Sequence, residues 1–315
     1  MVVQRKKAQV SSHYLYEALI VNTIEACFTD FNVEHCMWNN LYVTGKSKIT
    51  TDVPGCKCGV EWHQNSGRKR RSTNSDSDNN RIIGGKKIDK ETQMRKYPWL
   101  SLLWYRSTQN PSGYAGWAGC GGSLVASNYI LSAAHCLFEV ECPMPVRGLA
   151  RPCKVTKEYK KDDLAWRVGD HDKVDYGETG YEQFVNIKNM YKHPEYPQRV
   201  NQEPLDDPYY DIVVYELEKM LPLHSYTPVC LPRPGEDARF DGKPATIAGW
   251  GRLSLSDKST PNEPYEANIT VAPTDTCPTS IEQPVKICLG QNEMIGKGSC
   301  KVMKWSICYV FVKCL

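Results

Sequence analysis

Beyond residue 82 the chain is a succession of short apolar runs broken by Gly, Pro and Asn, with no long stretch of helical period to compete with them. Runs of this length, rich in Val, Ile, Tyr and Leu, predict strands at SLLWY (101–105), GGSLVAS (121–127), YILSAA (129–134), QFVNIKNMY (183–191), DIVVYEL (211–217), ATIAGWG (245–251) and EANITVA (266–272). Many short strands with turn residues between them predict an all-β domain. Residues 66–81, SGRKRRSTNSDSDNNR, hold no apolar side chain and predict an exposed linker. Upstream of it lies a segment with Cys27, Cys36, Cys56 and Cys58 but little hydrophobic periodicity. The expected organisation is a propeptide-like segment with its linker over 1–81, one β domain over 82–300, and an unrelated tail over 301–315.

Composition narrows the class. The 315 residues are 41% hydrophobic and 24% charged, which suits a globular chain with a sizeable core. Lys plus Arg total 39 against 36 for Asp plus Glu, so the net charge of +3 offers no footprint for phosphates, and no nucleic-acid partner is expected. Charges beyond residue 81 balance, leaving the β domain formally neutral. No run reaches the roughly 18 apolar residues of a membrane span, and the tail from Trp305 to Leu315 is short and broken by Lys313. Fourteen cysteines, few at metal-ligand spacing, imply disulfides and a secreted protein. The first residues do not form a signal peptide, since Ser11, Ser12, His13, Glu17 and Asn22 interrupt the apolar positions after Arg5, Lys6 and Lys7. Secretion therefore implies an unusual leader or an N-terminus beyond Met1.

Three segments carry chemistry: RIIGG at 81–85, CGGSLVASNYILSAAHC at 120–136 and YYDIVVYEL at 209–217. With PWL at 98–100, CLP at 230–232 and AGWG at 248–251, they resemble the chymotrypsin and trypsin family of serine endopeptidases over roughly residues 81–300. The resemblance implies two packed six-stranded antiparallel β-barrels with the active site between them, the second barrel incomplete in this chain. It assigns His135 as the general base and Asp211 as the carboxylate that fixes the imidazole tautomer and stabilises its charged form. Asp211 directly precedes the apolar Ile212-Val213-Val214 run that would bury it.

The same resemblance makes the chain a zymogen. Cleavage of Arg81–Ile82 by a protease of trypsin-like specificity would free the Ile82 ammonium, which in family members pairs with an aspartate beside the catalytic serine. Arg68-Lys69-Arg70-Arg71 also has the pattern cut by secretory proprotein convertases, or is a solvated basic stretch. Family members continue from a motif like GKGSC, here Gly296–Cys300, into GDSGGP; this chain instead continues KVMKWSICYVFVKCL. The catalytic serine and the oxyanion-hole donors of that motif are missing from the 315 residues, and neither Ser299 nor Ser306 lies in the Gly-rich turn that presents a nucleophile. Inactivity of the chain as written is expected, and an incomplete second barrel with open strand edges is expected to aggregate or be degraded. The alternative is a non-catalytic protease homologue acting as a binding or regulatory protein.

Smaller readings follow from the resemblance. Gly298 aligns with the base of the primary specificity pocket, where an uncharged residue implies preference for apolar or aromatic side chains. The loop DHDKVDYGETGYE (170–182) aligns with a calcium loop, with Asp170, Glu178 and Glu182 as the carboxylates; an acidic surface loop is the alternative. No other cofactor is required, and the partners are a protein or peptide substrate and the activating protease, with the chain a monomer. Implied disulfides are Cys120–Cys136, Cys277–Cys288 and Cys58–Cys230, with Cys142 and Cys153 bracketing an insertion and pairing locally. The other six cysteines allow fifteen pairings, and Cys300 has its family partner in the missing region. Cys56-x-Cys58 with His63 lacks the second ligand pair of a zinc site. Asn268-Ile269-Thr270 is a glycosylation sequon.

Overall fold

The computed structural model describes residues 58–59, 85–110, 112–143, 152–205, 210–231, 242–253, 259–271 and 310–311. Strands β2 (Leu100–Arg106), β3 (Tyr114–Ala126), β4 (Tyr129–Ser132), β7 (Leu164–Val168), β8 (Gln183–Lys192) and β9 (Val213–Leu217) form a closed antiparallel barrel in the order β2-β3-β4-β9-β8-β7. Closure pairs every strand edge and leaves none for an outside strand. Between β4 and β7 a hairpin of β5 (Phe138–Glu141) and β6 (Lys154–Glu158) is inserted. The Cys142–Cys153 disulfide lies just beyond the Glu141↔Lys154 pair and staples the hairpin there.

Large rings fill the barrel. Trp166 and Tyr215 are fully buried and meet edge to face with centroids 5.0 Å apart. They need a gap on the facing strand, and Gly122 supplies it: a Cβ there would sit 2.5 Å from Ile130 Cγ2 and 2.6 Å from Trp166 Cη2. Leu102, Leu103, Leu124, Ile130, Leu164, Val185 and Ile187 complete the core.

Of the second barrel, the described strands are a four-stranded sheet in the order β1-β11-β10-β12. They are β1 (Lys86–Lys87), β10 (Pro244–Gly249), β11 (Tyr265–Thr270) and β12 (Val310–Phe311). The antiparallel β10–β11 pair is its body, with Ile247 opposite Ala267 in a small apolar cluster joined by Leu253, Tyr265 and Ile269. The segment after β1 carries one helical turn, α1 (Lys90–Gln93), and leads into β2. The Trp250 indole donates to the His171 carbonyl at 2.9 Å, and Lys96 Nζ lies 2.7 and 2.9 Å from the Glu266 carboxylate oxygens, so the Gly249/Tyr265 end of this sheet is tied to the barrel side. The fold is all-β, and among the described residues no helix is long and apolar enough to cross a membrane.

Candidate active site

The register of β4 on β9 positions the two central residues. Leu131 faces Val214 and Ser132 faces Val213, so the end of β4 lies beside the start of β9. The 3-10 turn Ala134–Leu137, which follows β4, and Asp211, which precedes β9, therefore emerge at the same rim of the barrel. There Asp211 Oδ2 is 2.6 Å from His135 Nδ1, and Asp211 Oδ1 accepts the His135 backbone N–H at 2.7 Å. One carboxylate thus holds both the ring and the main chain of the histidine. An ionised carboxylate can only accept, so Nδ1 must carry the proton and Nε2 keeps the lone pair that takes one.

The support around this pair is covalent on one side and aromatic on the other. Cys136, adjacent to His135, is bonded to Cys120 on β3, which pins the turn to the barrel wall. Beside Asp211, Tyr196 is buried at 1% exposure, and its phenol is held above the usual range, first by burial and then by the Asp211 charge. His193 stacks on Tyr210 with centroids 4.4 Å apart, and its N–H donates to the Ile212 carbonyl, so the chain on both sides of Asp211 is held. Burial lowers the His193 pKa and favours its neutral form. His193 and Tyr196 come from HPEY at 193–196, where the spacing marks only a turn after a strand, and Tyr210 directly precedes Asp211; nothing in the sequence alone marks Tyr196 or Tyr210 as a wall of the site.

The acidic loop assembles as a second cluster. Ligand oxygens of Asp170, Glu178 and Glu182 all lie within 4.8 Å of one another. The Asp170 side chain is wholly buried and 3.0 Å from the Arg167 guanidinium, with Oδ2 accepting no side-chain hydrogen bond among the described residues. Burial pushes its carboxyl up to about 8, partly opposed by Arg167. Three hard oxygen donors around a desolvated carboxylate fit calcium and not a soft metal. Two cations already attend the cluster: Arg167, which also donates to the Lys173 and Asp175 carbonyls, and Lys90, 2.7 Å from Glu178 Oε2. Neither is legible as a member of the cluster from the sequence, since neither belongs to the acidic run.

The remaining expected residues divide by location. Cys58 is bonded to Cys230, and Gly59 N–H donates to the Pro228 carbonyl, fastening the upstream segment to the barrel side. Asn268 is exposed on β11, where its side-chain oxygen accepts from Thr246 Oγ1 at 3.1 Å. Arg81, Ile82, Cys277, Cys288 and Gly298 lie outside the described residues. The grouping of Cys120, His135 and Cys136 offers no thiolate to a metal, because its two cysteines are bonded to each other.

A family model described as Trypsin matches residues 82–301. Among curated proteins, the chain is 28% identical to "Melanization protease 1" of Drosophila melanogaster over 62% of this chain and 45% of that protein. It is 26% identical to "Phenoloxidase-activating factor 3" of Holotrichia diomphalia over 78% of this chain and 64% of the relative. To "Phenoloxidase-activating factor 1" of the same beetle it is 30% identical over 54% of this chain and 42% of the relative. The chain thus spans about half the length of these curated relatives, from 42% to 64%. With the motifs, the closed barrel and a family match over most of its length, the chain belongs to the trypsin family of serine endopeptidases.

Proposed function

We propose that this protein is the zymogen of a secreted serine endopeptidase in which His135 is the general base and Asp211 its orienting carboxylate. The observation that carries the proposal is the double hold of Asp211 on the His135 ring and backbone, at 2.6 and 2.7 Å. A serine hydroxyl attacks a peptide carbonyl only when its proton is accepted in place; an imidazole with Nδ1 protonated and Nε2 free is built for that acceptance, and the adjacent carboxylate stabilises the imidazolium that results. The 315 residues contain no GDSGGP, so they hold the base and carboxylate but not the nucleophile, and as written they hydrolyse no peptide bond by this route.

Activation is cleavage of Arg81–Ile82 by another protease. The Cys58–Cys230 bond spans 172 residues of sequence and supports retention of the upstream piece after that cut. Cleaved protein therefore runs as one band on a non-reducing gel and as two after reduction; release without reductant would contradict the tether. Calcium held by Asp170, Glu178 and Glu182 would serve as a structural cross-link of the 170–182 loop. The substrate is a protein cut beside an uncharged side chain, as Gly298 implies, and the names of the relatives support a place in a proteolytic activation sequence.

The test is to sequence transcripts across the codon for Cys300 and to label the secreted protein with a fluorophosphonate probe after cleavage at Arg81. Continuation into GDSGGP together with labelling is the expected result. Transcripts that all read KVMKWSICYVFVKCL and stop, with folded secreted protein that never labels, would establish the non-catalytic homologue instead.

A further inference from the structure

We propose that Lys90 is a built-in competitor for calcium at the 170–182 loop, so that cation binding there exchanges with a contact of the segment just downstream of the activation bond. This rests on the calcium reading of the loop and goes beyond it, because it makes the site's affinity depend on a residue outside the loop.

The geometry of Glu178 is the starting point. Its side chain is almost wholly buried, its Oε1 accepts the Asp172 backbone N–H, and its Oε2 is paired with the Lys90 ammonium at 2.7 Å. A second lone pair lets Oε1 keep the Asp172 N–H while ligating, whereas the Lys90 charge beside Oε2 opposes any cation placed there, so the ammonium is the partner that calcium competes with. The backbone contact is part of the loop itself; the ammonium is delivered from α1, only nine residues after Arg81 in sequence. Lys90 is also 3.2 Å from Asp175 and its side chain is 36% exposed, so it sits at the rim with water available when displaced.

Charge gives the same direction. Calcium takes Asp170, Glu178 and Glu182 in their ionised forms, and Arg167, fixed at 3.0 Å from Asp170 and locked by the Lys173 and Asp175 carbonyls, offsets one of these charges. With Lys90 displaced, the cluster is one unit more negative toward a dication than with Lys90 in place. Arg95 acts on Glu182 and Lys173 on Asp170, but both residues are buried, and Lys87 is paired with Glu263. Lys90, paired directly with Glu178 and part-exposed at the rim, is a cation that water can take up when it is displaced. Its displacement would unfasten α1 from the loop, coupling calcium to the order of the segment that follows Ile82.

Terbium luminescence sensitised by the loop tyrosines Tyr176 and Tyr181, with calcium as the competing ion, reads the affinity without any catalytic step. The 315-residue protein, K90Q and K90R are compared, each checked for a cooperative melt. K90Q is expected to bind calcium at least tenfold more tightly than the parent, and K90R within about twofold of it, because arginine keeps the competing charge. In the parent protein, acylation of the Lys90 amine, followed by mass spectrometry, is expected to accelerate when calcium is added. Equal calcium affinity in parent and K90Q overturns the competition while leaving the calcium site standing. No calcium binding by either protein overturns both. Lys90 acylation unchanged at saturating calcium overturns the displacement, whatever the affinities. None of these readings depends on whether the protein cleaves peptides.

Discussion

The six strands of the barrel have both edges paired, whereas β1-β11-β10-β12 is a row of four whose outer members are two residues long. The barrel's packing centres on Trp166 and Tyr215, both at 0% exposure; the sheet adds Ala248 and Trp250 to that cluster and otherwise holds two small ones around Ile247, Ala267, Ala245 and Val271. His135 and Asp211 both belong to the first region and are joined through the β4–β9 register, so the acid–base half of the constellation needs nothing from the sheet to be assembled. In the trypsin family the nucleophile and specificity pocket belong to the other barrel. A chain can therefore keep the base and its carboxylate in good order while its sequence lacks the motif that uses them.

The largest expected effect breaks the barrel itself. Trp166→Ala removes its principal ring, and the unfolding free energy measured in urea should fall by about 3–5 kcal/mol. Loss of less than 1 kcal/mol would mean that the barrel does not carry the stability. Ile247→Ala in the sheet should cost about 2 kcal/mol, at the low end for such a truncation, because its cluster is small and partly open to water. An Ile247 effect equal to that of Trp166 would make the two regions equally packed. The smallest effect concerns the join between them. Lys96 and Glu266 are each 16% exposed and are bonded through both carboxylate oxygens, with the Tyr97 hydroxyl donating to the same carboxylate. A double-mutant cycle of Lys96→Met and Glu266→Gln should return a coupling of about 1 kcal/mol. A coupling of zero would leave the regions joined only by chain and packing.

The same contrast marks what the sequence made legible. SLLWY, YILSAA, QFVNIKNMY and DIVVYEL each announce a barrel strand because β-branched, aromatic and other apolar residues predominate over a strand's length, and the histidine and aspartate stand at the ends of two of them. LAWRV, which became β7, was hidden by Arg167, a charge at a position where a strand with both faces covered should be apolar. That arginine is 2% exposed because it donates to two loop carbonyls, pairs with Asp170 and lies 5.5 Å from the Trp104 ring and 5.1 Å from that of Tyr176; Asp170 is only three residues on, but the loop that turns these partners back onto the arginine follows no strand or helix period. FEVE and KVTKE form β5 and β6 although charges fill about half of their positions, and the Cys142–Cys153 bond closes the hairpin they make. β3 begins at Tyr114, seven residues ahead of the expected GGSLVAS, since glycines at 116, 119, 121 and 122 mask a strand whose pairing to β2 is long-range. Lys90 was invisible as a member of the acidic cluster for the same reason: only the fold brings it there.

The central claim, that the barrel alone assembles a protonated Nδ1 on His135 against the Asp211 carboxylate, has a direct measurement. A far-downfield imidazole N–H resonance in the proton NMR spectrum of the folded 315-residue protein, lost in both His135→Gln and Asp211→Asn with little change in the unfolding midpoint, is the predicted result. A folded protein whose spectrum lacks that resonance, or keeps it when Asp211 is replaced, would contradict the account.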